Sequence, residues 1–172
     1  LERRFIQQID DTRTAQAYIT TDLDDNQITA FHPGAMDHAH VNAVPGDAGI
    51  KLGMVSPDGR QAMLDHASQF AAAGIPFIFD PGQGLPMFDG EELLRFADQA
   101  SWLACNDYEA RLMQERTGKT PGQLAQMLRA VVVTRGGEGS LVYTADRVYE
   151  IPAAPAASLQ DPTGCGDAYR AG

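Results

Sequence analysis

The sequence has no long apolar run. Its apolar stretches are a few residues each, such as Val131-Val132-Val133, far short of the roughly 20 residues that cross a bilayer as a helix. Cysteine is scarce: Cys105 and Cys165 lie far apart, with no CxxC or Cys/His ligand spacing, which excludes the common zinc patterns. Two unpatterned cysteines point to a reducing, cytoplasmic setting. Basic residues are few, 13 Lys and Arg against 23 Asp and Glu for a net charge of −10. They are scattered, Arg3-Arg4 being the densest pair, which excludes a nucleic-acid backbone as partner. An acidic chain still binds a small phosphate ligand where backbone amides and a cation supply local positive potential. The start, Leu1-Glu2-Arg3-Arg4, has no apolar stretch behind it and is not a signal peptide. An initiator Met is missing as well, so the sequence is expected to begin partway through a gene product. There is no internal repeat and no low-complexity tract. The 172 residues, 44% hydrophobic and 21% charged, suit one globular domain or part of a larger one.

From Thr14 to Asp22, Ala15, Ala17, Ile19 and Thr21 alternate with Gln16, Tyr18 and Thr20, the periodicity of a strand. Asp24-Asp25-Asn26 is a turn cluster and Gln27–Phe31 a second strand, giving a β-hairpin over 14–31. His32-Pro33-Gly34 breaks it. Over 50–172 the rhythm becomes strand, helix, strand. Strands are expected at Ile50–Val55, Ile75–Phe79, Ser101–Cys105 and Val131–Thr134. Helices are expected from a Ser56 N-cap with Pro57 in the first turn to Ala73, with Met63, Ala67 and Phe70 inward, and then over Gly90–Gln99, Asp107–Arg116 and Pro121–Leu128. A hairpin of Leu141–Tyr143 and Arg147–Ile151 follows. Such alternation implies an α/β fold with a mainly parallel sheet covered on both faces. Ligands then bind beyond the carboxyl ends of strands, where Asp80–Gly84, Cys105-Asn106 and Arg135–Gly139 fall.

The closing run Asp161-Pro162-Thr163-Gly164-Cys165-Gly166-Asp167 enters a helix. Glycines on either side of Cys165 let successive N–H groups converge, and a helix start adds partial positive charge. Such a loop suits a phosphoryl group gaining negative charge in transfer. Asp167, one residue on, is placed to accept the attacking hydroxyl's proton. It is not a Walker A loop, because no Gly-Lys-Ser/Thr follows. The bland alternative is a glycine-rich turn capped by a helix-starting Asp.

Asp161–Gly172 resembles the C-terminal signature of the ribokinase/PfkB family of ATP-dependent sugar and nucleoside kinases, D-[TP]-T-G-A-G-D-[AS]-F-x-x-G. The resemblance implies a ribokinase-like fold, with Gly164, Cys165 and Gly166 as anion hole and Asp167 as catalytic base. It also implies Asp161 beside a monovalent cation such as K+. Cys165 replaces the commoner Ala and Tyr169 the commoner Phe, departures expected to matter little, although oxidation of Cys165 should block the site.

Upstream, Asn106-Asp107-Tyr108-Glu109 resembles the family's N-x-x-E motif, which implies Mg2+ held through water at Glu109. The alternative is a plain capping box, Asn106 with Glu109. Val133–Ser140 resembles the family's V-T-x-G-x-x-G nucleotide segment, carrying Thr134, Gly136 and Gly139 to ATP, whereas a tight strand-to-hairpin turn is the alternative. Arg135 either neutralises a phosphate or is a surface charge. The hairpin falls where family members place a lid over the sugar site, and its strands are a candidate homodimer contact. Its stretch Ala17–Met36 looks like bacterial adenosine-kinase-like members.

Other features carry less. Asp22-x-Asp24-x-Asn26 begins like a calcium loop, but Gln27 and Pro33 stand where Gly and Glu are needed. His32, His38 and His40 match no zinc spacing. Asp80 either touches magnesium-bound water or makes the Asp-Pro-Gly turn. The resemblance implies a domain incomplete at both ends. Missing are the N-terminal Gly-Gly and Asn/Asp sugar contacts, the rest of the helix after Asp167 and the later adenine contacts, so the isolated piece is expected to be inactive. The expected activity is ATP-dependent phosphorylation of a primary hydroxyl of a nucleoside or sugar, adenosine favoured. A catalytically silent nucleotide-binding relative is the competing reading.

Overall fold

A computed structural model describes residues 3–22, 27–155 and 164–171. The alternating segments pair as β1 (Gln16–Thr21) and β2 (Gln27–His32), antiparallel, with Gln16 opposite His32 and Thr21 opposite Gln27. This hairpin is a sheet of its own. An isolated two-stranded ribbon is marginally stable, and here β1 is exposed along its whole length. The chain leaves it through a 3-10 segment, Gly34–Val41, joined to the approach by an Ala35 N–H to Arg13 carbonyl bond of 2.8 Å.

The remaining elements are β3 (Gly53–Val55), α1 (Arg60–Ala72), β4 (Phe77–Phe79), α2 (Gly90–Gln99), β5 (Trp102–Asn106), α3 (Asp107–Thr117), α4 (Pro121–Leu124), β6 (Ala130–Thr134), β7 (Ser140–Tyr143), β8 (Val148–Ile151) and α5 (Cys165–Ala171). They build one sheet in the order β3-β4-β5-β6-β7-β8. β3 to β6 run parallel, as the strand–helix alternation requires, and β7 and β8 are antiparallel. The turn at Gly136–Gly139 causes the switch by folding the chain straight back, so that Ser140 pairs with Thr134.

Three boundaries differ from expectation by three residues or more. α1 starts at Arg60, not at Pro57, with Gly59 as N-cap. Pro57 is instead packed against Gly82, where a Cβ would meet its Cγ at 2.6 Å, and Asp58 Oδ1 accepts the Gly59 N–H at 2.8 Å. α4 stops at Leu124 rather than Leu128. Beyond it Gln126 and Met127 donate to carbonyls three residues back, a tighter turn that carries Leu124, Ala125 and Leu128 all into the core. β3 is only Gly53–Val55, not Ile50–Val55, because its partner is short and begins beyond Pro76, whose carbonyl accepts the Gly53 N–H at 2.9 Å.

Alternate strand residues, Phe77, Phe79, Leu103, Cys105, Val131 and Val133, meet Met63, Ala67 and Phe70 of α1, Leu93 and Phe96 of α2 and Met113 of α3 in one core. Phe79 and Phe96 stack with centroids 4.3 Å apart. Helix cover was expected on both faces. α1, α2 and α3 cover one. On the other, Ile78, Trp102, Ala104 and Val132 line a groove of about 240 Å3 that Tyr169 and Arg170 of α5 reach. Each helix on the covered face has a defined end: Asp89 and Glu92 form a capping box on α2, and Gly118 closes α3 at φ 69°.

Candidate active site

Three strands of the parallel sheet deliver polar residues at their carboxyl ends. β4 runs into Asp80, whose backbone N–H bonds the Val55 carbonyl at 2.8 Å. The side chain is among the few buried polar groups, 5% exposed. β5 ends on Asn106, which caps α3: Oδ1 accepts the Glu109 N–H at 2.7 Å and Glu109 Oε2 accepts the Asn106 N–H at 2.8 Å. The capping box left open by the sequence is therefore formed, and it orients the Glu109 carboxylate toward the strand ends. β6 ends on Thr134, whose hydroxyl reaches the Cys105 carbonyl at 3.4 Å.

The loop after β6 turns on Gly136 (φ 55°) and Gly139 (φ 87°), conformations that glycine adopts without a Cβ penalty. Arg135 is engaged by carboxylates, with Nη2 2.8 Å from Glu150 Oε1 and Nη1 3.6 Å from Glu138 Oε2.

Helix α5 opens at Gly164, with φ 78° and a carbonyl that accepts the Ala168 N–H at 2.9 Å. Cys165 is exposed at its start, beside Gly166 and Asp167. Asp161 and Thr163 lie outside the described residues, as do Asp24 and Asn26. What the sequence did not reveal is how α5 meets the strand ends. Arg170 Nε lies 2.5 Å from Asp80 Oδ2 and its Nη2 3.2 Å from Oδ1, with Glu109 Oε2 3.9 Å from Nη2. The Nε–H is not aligned along its oxygen, so Nη2 makes the hydrogen bond and Nε the close charge contact. Tyr169 adds a second tie, its hydroxyl 2.8 Å from Ser140 Oγ. The Phe-to-Tyr departure thus has a consequence, since Phe offers no such bond. Arg170 was readable only as the residue one helical turn beyond Asp167.

The electrostatics follow from this crowding. Burial pushes the Asp80 carboxyl up to about 6 from an ordinary 3.8; Arg170 pulls it down, while Glu109 and Asp167 push it further up. Burial likewise pushes the Cys105 thiol up to about 12, with Glu109 and then Asp80 adding to it, so Cys105 is an inert core residue. Asp80, Glu109, Asp167 and Arg170 are therefore one charged neighbourhood. His38 and His40 stand apart from it, stacked on each other with centroids 6.4 Å apart. Among the described residues no three His, Cys, Asp or Glu side chains converge on a metal-sized position.

All 172 residues match the family model described as pfkB family carbohydrate kinase. The chain belongs to this family. Its fold is ribokinase-like. A solved structure of the Burkholderia thailandensis nucleoside kinase in complex with inosine is 51% identical and superposes with a TM-score of 0.94 over 99% of this chain and 56% of that one. The same enzyme in complex with ADP-inosine gives a TM-score of 0.92 at 51% identity, over 99% of this chain and 53% of that one. The nucleoside kinase of Methanocaldococcus jannaschii, an archaeal member of the ribokinase family, is 32% identical with a TM-score of 0.87, covering 95% of this chain and 54% of that one. The chain thus spans about half the length of the relatives it matches. No helix among the described residues is long and apolar enough to cross a membrane.

Proposed function

We propose that the protein carrying this sequence transfers the γ-phosphoryl group of ATP to a primary hydroxyl of a nucleoside. A single observation carries the reading: Arg170 of α5 contacts Asp80 and Glu109, which sets the helix of Asp167 against the ends of β4 and β5. A base, a turn of convergent amides and carboxylates suited to a hydrated cation then share one edge of the sheet, which is what phosphoryl transfer needs. The nucleoside kinases bound to inosine and ADP-inosine support a purine nucleoside as acceptor, with adenosine and inosine the first to assay.

In this reading Asp167 accepts the acceptor hydroxyl's proton. The N–H groups of Gly164, Cys165 and Gly166 face the phosphoryl oxygens as charge builds. Thr134, Gly136 and Gly139 line the nucleotide, the glycines letting backbone come close. ATP would supply the transferred group, and Mg2+, when bound, would neutralise its charge. Asn106 would orient Glu109 for that ion, and Glu109 would offer, through water, the carboxylate oxygen that Mg2+ prefers. A monovalent cation such as K+ near Asp161 belongs to the same proposal, and the K+ dependence of the rate tests it.

Closure of the β1–β2 hairpin over the acceptor would exclude water as a competing acceptor. The exposed Tyr18, Ile19, Ile28 and Phe31 on that hairpin support pairing of two copies through the lid, which the mass in solution tests. Two free cysteines suit a cytoplasmic setting, which cell fractionation checks.

The test is Asp167→Asn in the full-length protein. Nucleoside-dependent ATP turnover should be abolished while ATP binding is kept, and near-normal turnover would exclude Asp167 as base. Turnover is expected of the full-length protein and not of these 172 residues alone. Magnesium-dependent ATP consumption by the isolated piece would overturn that second expectation.

A further inference from the structure

Two adjacent side chains tie helix α5 to different parts of the sheet end. Tyr169 reaches Ser140, the first residue of β7 after the glycine turn. Arg170 reaches Asp80 beyond β4 and Glu109 in the first turn of α3. The Arg170 side chain is 12% exposed, and those of Asp80 and Glu109 are 7% and 13% exposed. Salt screens such a pair weakly. Arg170 also sits three residues after Asp167, so the two share one helix face. A guanidinium that holds one carboxylate by a hydrogen bond from Nη2 and a close charge contact at Nε constrains direction as well as distance. Any rotation of α5 that moves Asp167 must therefore break the grip on Asp80.

We propose that Arg170 is a positioning residue for phosphoryl transfer: by bridging Asp80 and Glu109 it sets the rotation of α5 and so the place of the Asp167 carboxylate. The proposal rests on the kinase reading above, because Asp167 has a position worth fixing only if it acts on a substrate. It also gives Asp80 a task beyond its turn, as the anchor for a helix nearly ninety residues later in the chain.

Arg170→Met, Arg170→Lys, Asp80→Ala and the Arg170→Met/Asp80→Ala double variant, all in the full-length protein, test this with two independent readouts. The first is amide hydrogen exchange, which requires no activity. Arg170→Met and Asp80→Ala should each speed exchange across Gly164–Ala171 while β4, β5 and β6 keep their protection. Unchanged exchange in α5 overturns the proposal whether or not the protein is a kinase. The second readout is steady-state kinetics. Arg170→Met should lower kcat by on the order of 100-fold, the loss expected of a misplaced reacting group, with the nucleoside KM little changed. Arg170→Lys, which keeps the charge and loses the fork, should fall between. It also carries the exchange test should Arg170→Met fail to fold. The double variant should be no slower than the worse single one, since both remove the same link; losses that multiply, or a near-normal kcat in Arg170→Met, overturn the proposal. Absence of nucleoside-dependent turnover in the unmodified protein would instead sink the kinase reading, leaving the exchange result to decide whether Arg170 holds α5.

Discussion

The Tyr169 hydroxyl stands 2.8 Å from Ser140 Oγ, and Ser140 is fully buried. The bond links the helix of Asp167 to the residue that ends the glycine turn, so the base and the nucleotide loop share a mechanical connection. Tyr169→Phe restores the family's commoner residue and leaves the Ser140 hydroxyl buried without this partner. The expected cost is about 1–2 kcal/mol, read as a lower urea midpoint at unchanged slope. Ser140→Ala should cost less in the Phe background than in the Tyr background. Equal costs in both backgrounds would show that the hydroxyl pair contributes nothing.

A pH dependence follows from Asp80. Its carboxyl titrates near 6 in the folded chain against an ordinary 3.8, chiefly because it is buried. The sign is that of a raised acid: between these values the folded chain binds the extra proton. The contribution of this group to stability is therefore full below about 3.8 and lost as pH rises through about 6. A rise of that size corresponds to on the order of 3 kcal/mol. Asp80→Asn does not titrate, so whatever its constant offset, its stability relative to the parent should improve by up to that amount between pH 4 and pH 7. Urea unfolding of both proteins at the two pH values checks this, and a difference that does not move with pH would mean that Asp80 titrates normally.

Much of this was legible in the sequence because local rules and packing agreed. Gly90–Gln99 and Asp107–Thr117 have caps and stops that match their apolar faces, and β6 is a β-branched run. Where they disagreed, packing prevailed: Ser56-Pro57 reads as a helix entry, yet Pro57 is taken up against Gly82. The alternation called for a mainly parallel sheet flanked by helices, and among the described residues α1, α2 and α3 lie on one face while α5 reaches the other. In the site, each motif was visible as a local pattern. The Arg170–Asp80 pair was not, because an ion pair across 90 residues leaves no periodic trace, and Asp80 alone reads as a turn former.

The glycines of the nucleotide turn give a prediction that separates folding from binding. Gly139 has φ 87°, and a Cβ there would meet the Ile151 carbonyl oxygen at 2.0 Å and the Ala153 nitrogen at 2.7 Å. Both obstacles are backbone and cannot swing aside, so Gly139→Ala should destabilise the fold by on the order of 3 kcal/mol or more. Gly136 also has positive φ, 55°, but nothing lies within 4 Å of its Cβ position. Gly136→Ala should therefore cost only about 1 kcal/mol, the left-handed penalty alone. If Gly136 faces the ATP phosphates, the added methyl takes space that the nucleotide uses, and the KM for ATP should rise several-fold while the nucleoside KM stays put. Urea unfolding ranks the two variants, and kinetics on Gly136→Ala decides the role. A stable Gly136→Ala protein with an unaltered ATP KM would place the nucleotide elsewhere and leave this turn a purely structural reversal between β6 and β7.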